Sequence, residues 1–275
     1  MHQYISHELD TRYKTQDPSD KNINTSRSKS IIDLALTSYI SLHHKSDSTK
    51  TMDPKFKALA ISQIRTFLFA GHDTTSSTLS YTFHLLSLHP SPIALLIAEH
   101  NGILGPTHDT KTLSAKLSSN PHLLNQLPYT TSILKETLQT FLVWINSYSL
   151  HRSPTYWDSP DSFLPERWLV PAPHEPFLHP VPVKGAFRPS EEGKRSCIGQ
   201  ELAMMEMKVV LVMVVRGLGV RSVYEEFDGM GAGKGMDGRE GVKMVQGERS
   251  YQVLRGSARP RDGMPCLVEV RERVE

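Results

Sequence analysis

A single cysteine lies between two glycines in the run Gly193-Lys194-Arg195-Ser196-Cys197-Ile198-Gly199. Glycines let a backbone approach a bulky planar group closely. An apolar helix is predicted to begin near Gly199, and its positive end favours the charged form of the sulfur. Arg195 can neutralise an anionic group of a ligand. The run therefore predicts a binding site at Cys197 for a group that takes a thiolate ligand.

The number and spacing of possible metal ligands indicate which metal Cys197 would bind. A single thiolate suits haem iron better than zinc, because zinc needs further Cys or His ligands at short spacing and the sequence has none there. Cys266, the other cysteine, lies in a strand-like apolar run and is predicted to be buried. The histidines, including the pair His84 and His89, lack a supporting carboxylate at metal spacing, so surface or core roles are predicted for them.

Length and composition limit the class of protein. The 275 residues could form one large domain or two small ones, and 38% apolar residues permit a sizeable core. A net charge of +2 gives no field that would favour nucleic acid or a membrane surface. Two cysteines far apart exclude a disulfide framework and fit a reducing compartment. Residues 1–29 lack the apolar core of a signal peptide, and the apolar run Val209–Val215 is shorter than the ~20 residues of a membrane span, so the chain is expected to be soluble.

Apolar periodicity predicts a mainly α fold. Residues 1–52 are interpreted as a polar N-terminal tail and linker with one short helix from Ser30, and residues 53–275 as the structured domain. A long helix is predicted from Phe56 to Leu88, after the start signal Asp53-Pro54. The later segments are helices over Ser91–Ile97 and Leu127–Leu142, an irregular proline-rich loop over His151–Ser196, a glycine-rich flexible insertion over Asp228–Gly241, and strands over Tyr251–Leu254 and Cys266–Val270.

Four separate stretches resemble motifs of one enzyme family and occur in that family's order. They are Ala70-Gly71-His72-Asp73-Thr74-Thr75 in the long helix, Lys135-Glu136-Thr137-Leu138-Gln139 in the third helix, Phe163-Leu164-Pro165-Glu166-Arg167-Trp168 in the proline-rich segment, and the segment from Gly185 to Ala203 around Cys197. Together they resemble the C-terminal half of the cytochrome P-450 haem-thiolate monooxygenases, and several stretches look most like fungal members. The resemblance implies a partial cytochrome P-450 fold with a long central helix, a proline-rich loop, a cysteine loop and a few short strands.

The resemblance implies a cofactor, a reaction and a redox partner. Cys197 would ligate the iron of haem b, with Gly193, Arg195 and Gly199 close to the cofactor. The family inserts one oxygen atom of O2 into a substrate, here expected to be small and apolar. Its electrons come from NADPH through a cytochrome reductase, which is the partner that the resemblance implies.

The resemblance also implies roles for residues on either side of the haem. In the long helix, Gly71 would admit dioxygen, Thr74 would hydrogen-bond the distal oxygen, and Asp73 would relay protons. Glu136 and Arg167 would contribute to cofactor binding by bracing the proximal side of the haem.

The sequence also departs from the family pattern. Gln139 stands where the family has the arginine of Glu-x-x-Arg, so Glu136 is expected to be underpaired in the network that should join it to Arg167. Ser190 replaces the phenylalanine that shields the thiolate in the family. The chain between Thr140 and His151 is much shorter than in the family. The resemblance begins at about residue 28, and the family's N-terminal half has no counterpart.

Two alternatives to an active monooxygenase follow from these departures. The chain could be a non-catalytic truncated remnant that binds haem weakly or not at all, or an interaction module whose long helix packs on a partner.

The run Gly229–Gly235 resembles a phosphate loop, but its spacing is one residue short and no Ser or Thr follows Lys234, so a flexible linker is predicted. Full-length fungal relatives are typically proteins of the endoplasmic reticulum membrane, whereas this chain lacks an anchor and is expected to be cytoplasmic.

Overall fold

The computed structural model describes residues 1–15, 30–43, 52–141, 145–169, 183–232, 244–245, 247–255 and 257–271. The chain forms two compact units, Met1–His72 and Asp73–Glu275. The helices of the described residues are α1 (His2–Thr15), α2 (Ile31–His43), α3 (Pro54–Leu88), α4 (Pro90–Leu104), α5 (Thr110–Ser119), α6 (Pro128–Thr140), α7 (Ile145–His151), α8 (Gln200–Val214) and α9 (Tyr224–Phe227). The prediction of a mainly α fold with one long helix is confirmed.

The first unit is built from α1, α2 and the first part of α3. α1 buries Ile5 and Leu9, which lie four residues apart and therefore on one face of the helix. An ion pair between Arg12 and Asp33 (2.8 Å) joins α1 to α2. The buried core of this unit consists of Ile5, Leu9, Leu36, Tyr39, Met52, Ala60, Ile61 and Ile64.

α1 lies in the segment that was expected to be a polar tail. Its two buried apolar residues are too few to give a periodic signal in the sequence, because the rest of the helix is polar. Residues 16–29 and 44–51 of the expected tail and linker lie outside the described residues. The domain boundary at residue 53 stays a prediction.

The second unit packs α4, α6 and α8 against the end of α3. α6 is buried along most of its length, and Ile133 and Leu134 are fully enclosed. Pro128 occupies the first turn of α6, where a missing N–H costs no helical hydrogen bond. The main core consists of Leu86, Leu96, Tyr129, Ile133, Leu134, Met207, Leu211 and Val215. This core fixes α6 and α8 next to the part of α3 that carries the threonine motif.

Two antiparallel strand pairs belong to the second unit. β1 (Leu218–Ser222) pairs with β4 (Cys266–Val270), and β2 (Gln252–Arg255) pairs with β3 (Ser257–Pro260). The prediction of β4 is confirmed, and β2 is shifted by one residue from its predicted range. Cys266 is exposed, so the prediction that it is buried is wrong. Every residue of β4 is exposed, and the strand pairs with β1 alone among the described strands.

Several elements differ from the predicted ones in their bounds or in their presence. α4 continues beyond Ile97 to Leu104, and α6 ends at Thr140. α5 was not predicted; the Asp109 side chain caps it by accepting hydrogen bonds from the Lys111 and Thr112 amides. Of the predicted glycine-rich insertion, residues 228–232 form a π-helical turn. Its remainder, and residues 170–182 of the proline-rich loop, lie outside the described residues.

Candidate functional site

A cavity of ≈ 310 Å³ lies in the second unit, between α3, α6, α8 and the cysteine segment. It brings together two residues that are 123 positions apart, Thr74 and Cys197 (197 − 74). The lining is Thr74, Thr75, Thr78, Thr131, Lys135, Leu138, Phe187, Pro189, Ser190, Cys197, Gln200, Glu201, Ala203, Met204, Met207 and Lys208. The cavity lining therefore combines hydroxyl groups, one thiol, two lysines, one carboxylate and several apolar side chains.

The cysteine segment is shaped by backbone contacts around Cys197. The Cys197 amide donates to the Ser190 carbonyl (2.9 Å), and the Cys197 carbonyl accepts from the Gln200 amide (3.4 Å) at the start of α8. Gly193 has φ +81°, a conformation that favours glycine. Gly199 directly precedes α8, and a side chain there would lie 3.9 Å from the Cys197 sulfur. These contacts place Cys197 at the helix N-terminus that the sequence predicted.

Arg195 and Cys197 are both exposed on this segment. Arg195 belongs to the short 3₁₀ turn Gly193–Arg195 and is not among the residues that line the cavity. Its expected contact with an anionic ligand group stays a prediction.

The α3 side of the cavity is formed by three threonines. Thr74 is exposed, whereas Thr75 is buried and its hydroxyl has no hydrogen-bond partner among the described residues. The Thr78 hydroxyl donates back to the Thr74 carbonyl (2.9 Å) within the helix. Asp73 is not in the lining; its carboxylate accepts a hydrogen bond from the Ser257 hydroxyl on β3 (2.9 Å). The structure thus brings Thr74, but not Asp73, to the same cavity as Cys197.

Glu136 lies on α6 and is fully buried, yet its carboxylate has three partners. Nε of Arg167 lies 3.1 Å from Oε2, the Leu164 amide donates to Oε1 (2.8 Å), and the Trp168 indole donates to Oε2 (2.7 Å). The expectation that Glu136 is underpaired is therefore wrong. Burial raises the pKa of Glu136 to about 7, and the charge of Arg167 and the two hydrogen bonds oppose that rise.

Gln139, at the position of the family's arginine, makes hydrogen bonds to backbone carbonyls. Its side-chain amide donates to the carbonyls of His151 (2.7 Å) and Pro160 (3.0 Å). Arg167 in turn donates to three carbonyls of the chain just before it, those of Asp158, Ser159 and Ser162. The Gln139 amide therefore supplies two backbone contacts where the family pattern has a second buried cation.

An aromatic cluster of His151, Trp157, Trp168 and Phe187 lies between this network and the cysteine segment. Trp168 is in contact with Trp157 (ring centroids 5.6 Å apart) and Phe187 (4.5 Å), and Phe187 lines the cavity. The sequence analysis did not identify this cluster. A signal was available, since two of the chain's three tryptophans, Trp157 and Trp168, lie in the proline-rich segment, but only the fold shows that these rings meet.

The donor set in the cavity fits a haem group. Among the described residues, no group of three or more His, Cys, Asp or Glu side chains could hold a metal ion by itself. A ligand that brings its own four nitrogen donors needs one protein ligand, and the single cavity-lining thiol of Cys197 meets that need. Lys135 and Lys208 also line the cavity and could pair with carboxylates of such a ligand.

A mostly helical fold in which a threonine of the long helix and a glycine-flanked cysteine line one cavity is the arrangement that the resemblance to haem-thiolate proteins predicts. The family model described as Cytochrome P450 matches residues 1–141 and 139–223. The chain belongs to the cytochrome P-450 family. Because the match begins at residue 1, the family resemblance extends further towards the N-terminus than the expected start at about residue 28.

Three relatives show how much of the family's length is represented. Cytochrome P-450 monooxygenase polC of Polytolypa hystricis is 33% identical over 98% of this chain and 50% of its own length. The monooxygenase acrF of Aspergillus aculeatus is 31% identical over 89% of this chain and 56% of its own length. The monooxygenase PC-23 of Penicillium crustosum is 31% identical over 70% of this chain and 99% of its own length. The chain thus spans about half of the first two relatives and nearly all of the third.

The described helices were also compared with the dimensions of a bilayer. None of them combines the length and the apolar character that crossing a membrane requires.

Proposed function

We propose that this chain binds haem b through Cys197 and functions as a monooxygenase that inserts one oxygen atom of O2 into a small apolar substrate. The observation that carries the proposal is that Cys197 and Thr74 line one cavity. The named activity of the relatives polC, acrF and PC-23 supports the same reaction type.

The cysteine segment would hold the cofactor. Cys197 would supply the thiolate ligand, and Gly193 and Gly199 would allow the backbone to lie close to the ring. Arg195, at the start of the same segment, would pair with a carboxylate of the cofactor. The bound haem would supply the activation of dioxygen.

The chain's own groups would handle protons on the α3 side. The Thr74 hydroxyl, in the cavity wall, would be a hydrogen-bond donor available to dioxygen that enters the cavity. The Asp73 carboxylate next to it would hold a proton for delivery, and the Ser257 hydroxyl, 2.9 Å from that carboxylate, would orient it. Glu136 and Arg167 would keep the proximal side rigid through their buried ion pair.

Electrons would come from NADPH through a cytochrome reductase, as is general in this family. The reductase would be the protein partner. A small apolar molecule would be the substrate, because Leu138, Ala203, Met204 and Met207 contribute apolar side chains to the cavity lining.

Haem titration of three chains tests the cofactor assignment. We expect the native chain and Cys266→Ala to give a Soret band with the same stoichiometry, and Cys197→Ala to give none in the thiolate-ligated position. Cys266 is the matched control, because it is the other exposed cysteine and lies on β4, away from the cavity lining. Loss of haem from Cys266→Ala with retention by Cys197→Ala would contradict the proposal.

A second candidate function is that of a non-catalytic member that binds haem without productive turnover. The exposure of Thr74 favours it, because an oxygen-activating site must exclude water. Ser190, which lines the cavity in place of the family's shielding phenylalanine, adds a polar group near the thiol. Comparing NADPH consumption with product formation separates the two candidates.

A further inference from the structure

His151 lies at the end of α7 and is completely buried. Its carbonyl accepts a hydrogen bond from the Gln139 side chain (2.7 Å), which fixes its backbone to α6. Its ring makes an edge contact with Trp157, with centroids 5.8 Å apart. Both the backbone and the ring of His151 are therefore held by residues outside the cysteine segment.

The edge of the ring that carries Nε2 faces the segment that precedes Cys197. The Arg188 amide donates to Nε2 of His151 (2.9 Å), and the Phe187 ring stacks on the imidazole with centroids 5.4 Å apart and an interplanar angle of 22°. Because Nε2 accepts this bond, the ring is neutral and carries its proton on Nδ1. Burial lowers the pKa of His151 to about 4, against the opposing effect of the Gln139 and Leu138 backbone, which keeps the ring neutral near pH 7.

The residues that follow this contact form the cavity wall. Phe187, Pro189 and Ser190 line the cavity, and the Ser190 carbonyl accepts the hydrogen bond of the Cys197 amide (2.9 Å). The position of Cys197 therefore depends on a short backbone segment whose other end is hydrogen-bonded to His151.

We propose that His151 is a positioning residue for the thiolate site. Its carbonyl is held by Gln139 and its ring packs against Trp157, so that Nε2 fixes the Phe187–Ser190 wall through the Arg188 amide and, through Ser190, sets the place of Cys197. The significance of this role rests on the proposed function, since a haem ligand must be held in one position. The contact itself belongs to the polypeptide, so it can be tested without haem and without turnover.

Two substitutions separate the hydrogen bond from the packing of the ring. His151→Phe keeps an aromatic ring between Phe187 and Trp157 and removes the acceptor. His151→Gln places an amide oxygen near the position of Nε2 and removes the ring. Leu134→Ala is the stability control, because it creates a cavity in the main core without touching this contact.

Amide hydrogen exchange of the full-length chain, resolved to single residues by mass spectrometry, is the readout. We expect His151→Phe to exchange about 10-fold faster than the native chain at the Arg188 amide, and several-fold faster at the Cys197 amide. His151→Gln should stay within about 3-fold of the native chain at both amides. Leu134→Ala should lower the unfolding midpoint. It should leave the exchange rates of these two amides unchanged relative to the exchange rates of the other amides in the second unit.

Three results would overturn the proposal. The first is an Arg188 amide that is not protected from exchange in the native chain. The second is an equal exchange rate in His151→Phe and His151→Gln. The third is faster exchange at the Arg188 amide of His151→Phe with an unchanged exchange rate at the Cys197 amide. If neither His151 variant folds, the native Arg188 measurement still decides whether the contact exists. Haem titration is independent of these outcomes, so failure of the positioning role and failure of the proposed function can be told apart.

Discussion

Glu136 and Arg167 form an ion pair, with Oε2 and Nε 3.1 Å apart, in which both side chains are almost completely buried. A buried carboxylate is stable only if its oxygens are paired. The Leu164 amide and the Trp168 indole satisfy Glu136 together with the arginine. The carboxylate of Glu136 therefore fixes the 3₁₀ turn Pro165–Trp168 against α6.

Removing the cation should leave Glu136 buried and underpaired. We expect Arg167→Met to lower the free energy of unfolding by about 3–5 kcal/mol, measured by urea denaturation. The control is Arg221→Met, which removes an exposed ion pair with Glu226 (2.9 Å) and should cost less than about 1 kcal/mol. Equal losses in the two variants would mean that the buried pair is not formed in solution.

A buried histidine should make the chain sensitive to acid. Burial lowers the pKa of His100 to about 4, and the charge of Arg216 acts in the same direction. The unfolded chain binds the proton near pH 6.5, so His100 contributes stability that is fully present above about pH 6.5 and is lost as the pH falls through about 4. On going from pH 7 to pH 4, His100→Gln should lose less unfolding free energy than the native chain, by about 1–3 kcal/mol.

Glutamine is the appropriate replacement, because its amide can keep the contact of His100 Nε2 with the Thr130 hydroxyl (2.9 Å). Unfolding is followed by denaturant titration at several pH values for both chains. Parallel pH profiles would show that His100 is not protonated on unfolding in this range.

The sequence predicted what depends on local patterns. The apolar periodicity of α3 and the glycine-flanked Cys197 are local, and both elements were found where expected. The partners of Glu136 were not predictable, because Leu164 and Trp168 follow it by 28 and 32 residues and meet it only in the folded chain. Cys266 was misjudged for a related reason: an apolar strand is buried only if another layer covers it.

Gln139, which is buried on α6, gives a test of the family pattern itself. Gln139→Arg would restore the family's residue, but Glu136 already has its cation and the Gln139 amide already serves the His151 and Pro160 carbonyls. We therefore expect no gain; the additional buried charge should lower the free energy of unfolding by about 1–3 kcal/mol. Denaturant titration of this variant decides the matter, with Gln139→Glu as the control that removes the donor. A more stable arginine variant would show that the network has room for a second cation.

The last prediction concerns turnover. In the proposed reaction, proton delivery through Asp73 and Thr74 would have to be limited by a dry pocket, and Thr74 is exposed in this chain. Water at this wall would divert reduced oxygen to hydrogen peroxide. We expect the chain, supplied with haem b, NADPH and a reductase, to oxygenate members of a panel of apolar substrates with low coupling, so that more of the NADPH consumed ends as peroxide than as product.

The measurement compares three quantities in one reaction: NADPH consumed, peroxide released and product formed. Thr74→Ala is the matched variant, because it removes the hydroxyl in the cavity wall and leaves the cysteine segment intact. If product formation accounts for most of the NADPH in the native chain and falls in Thr74→Ala, the wall formed by α3 is sufficient for coupled turnover and the non-catalytic alternative is wrong. If both chains release mainly peroxide, Thr74 does not control proton delivery in this chain, because a site open to water protonates the reduced oxygen whether or not the hydroxyl is present.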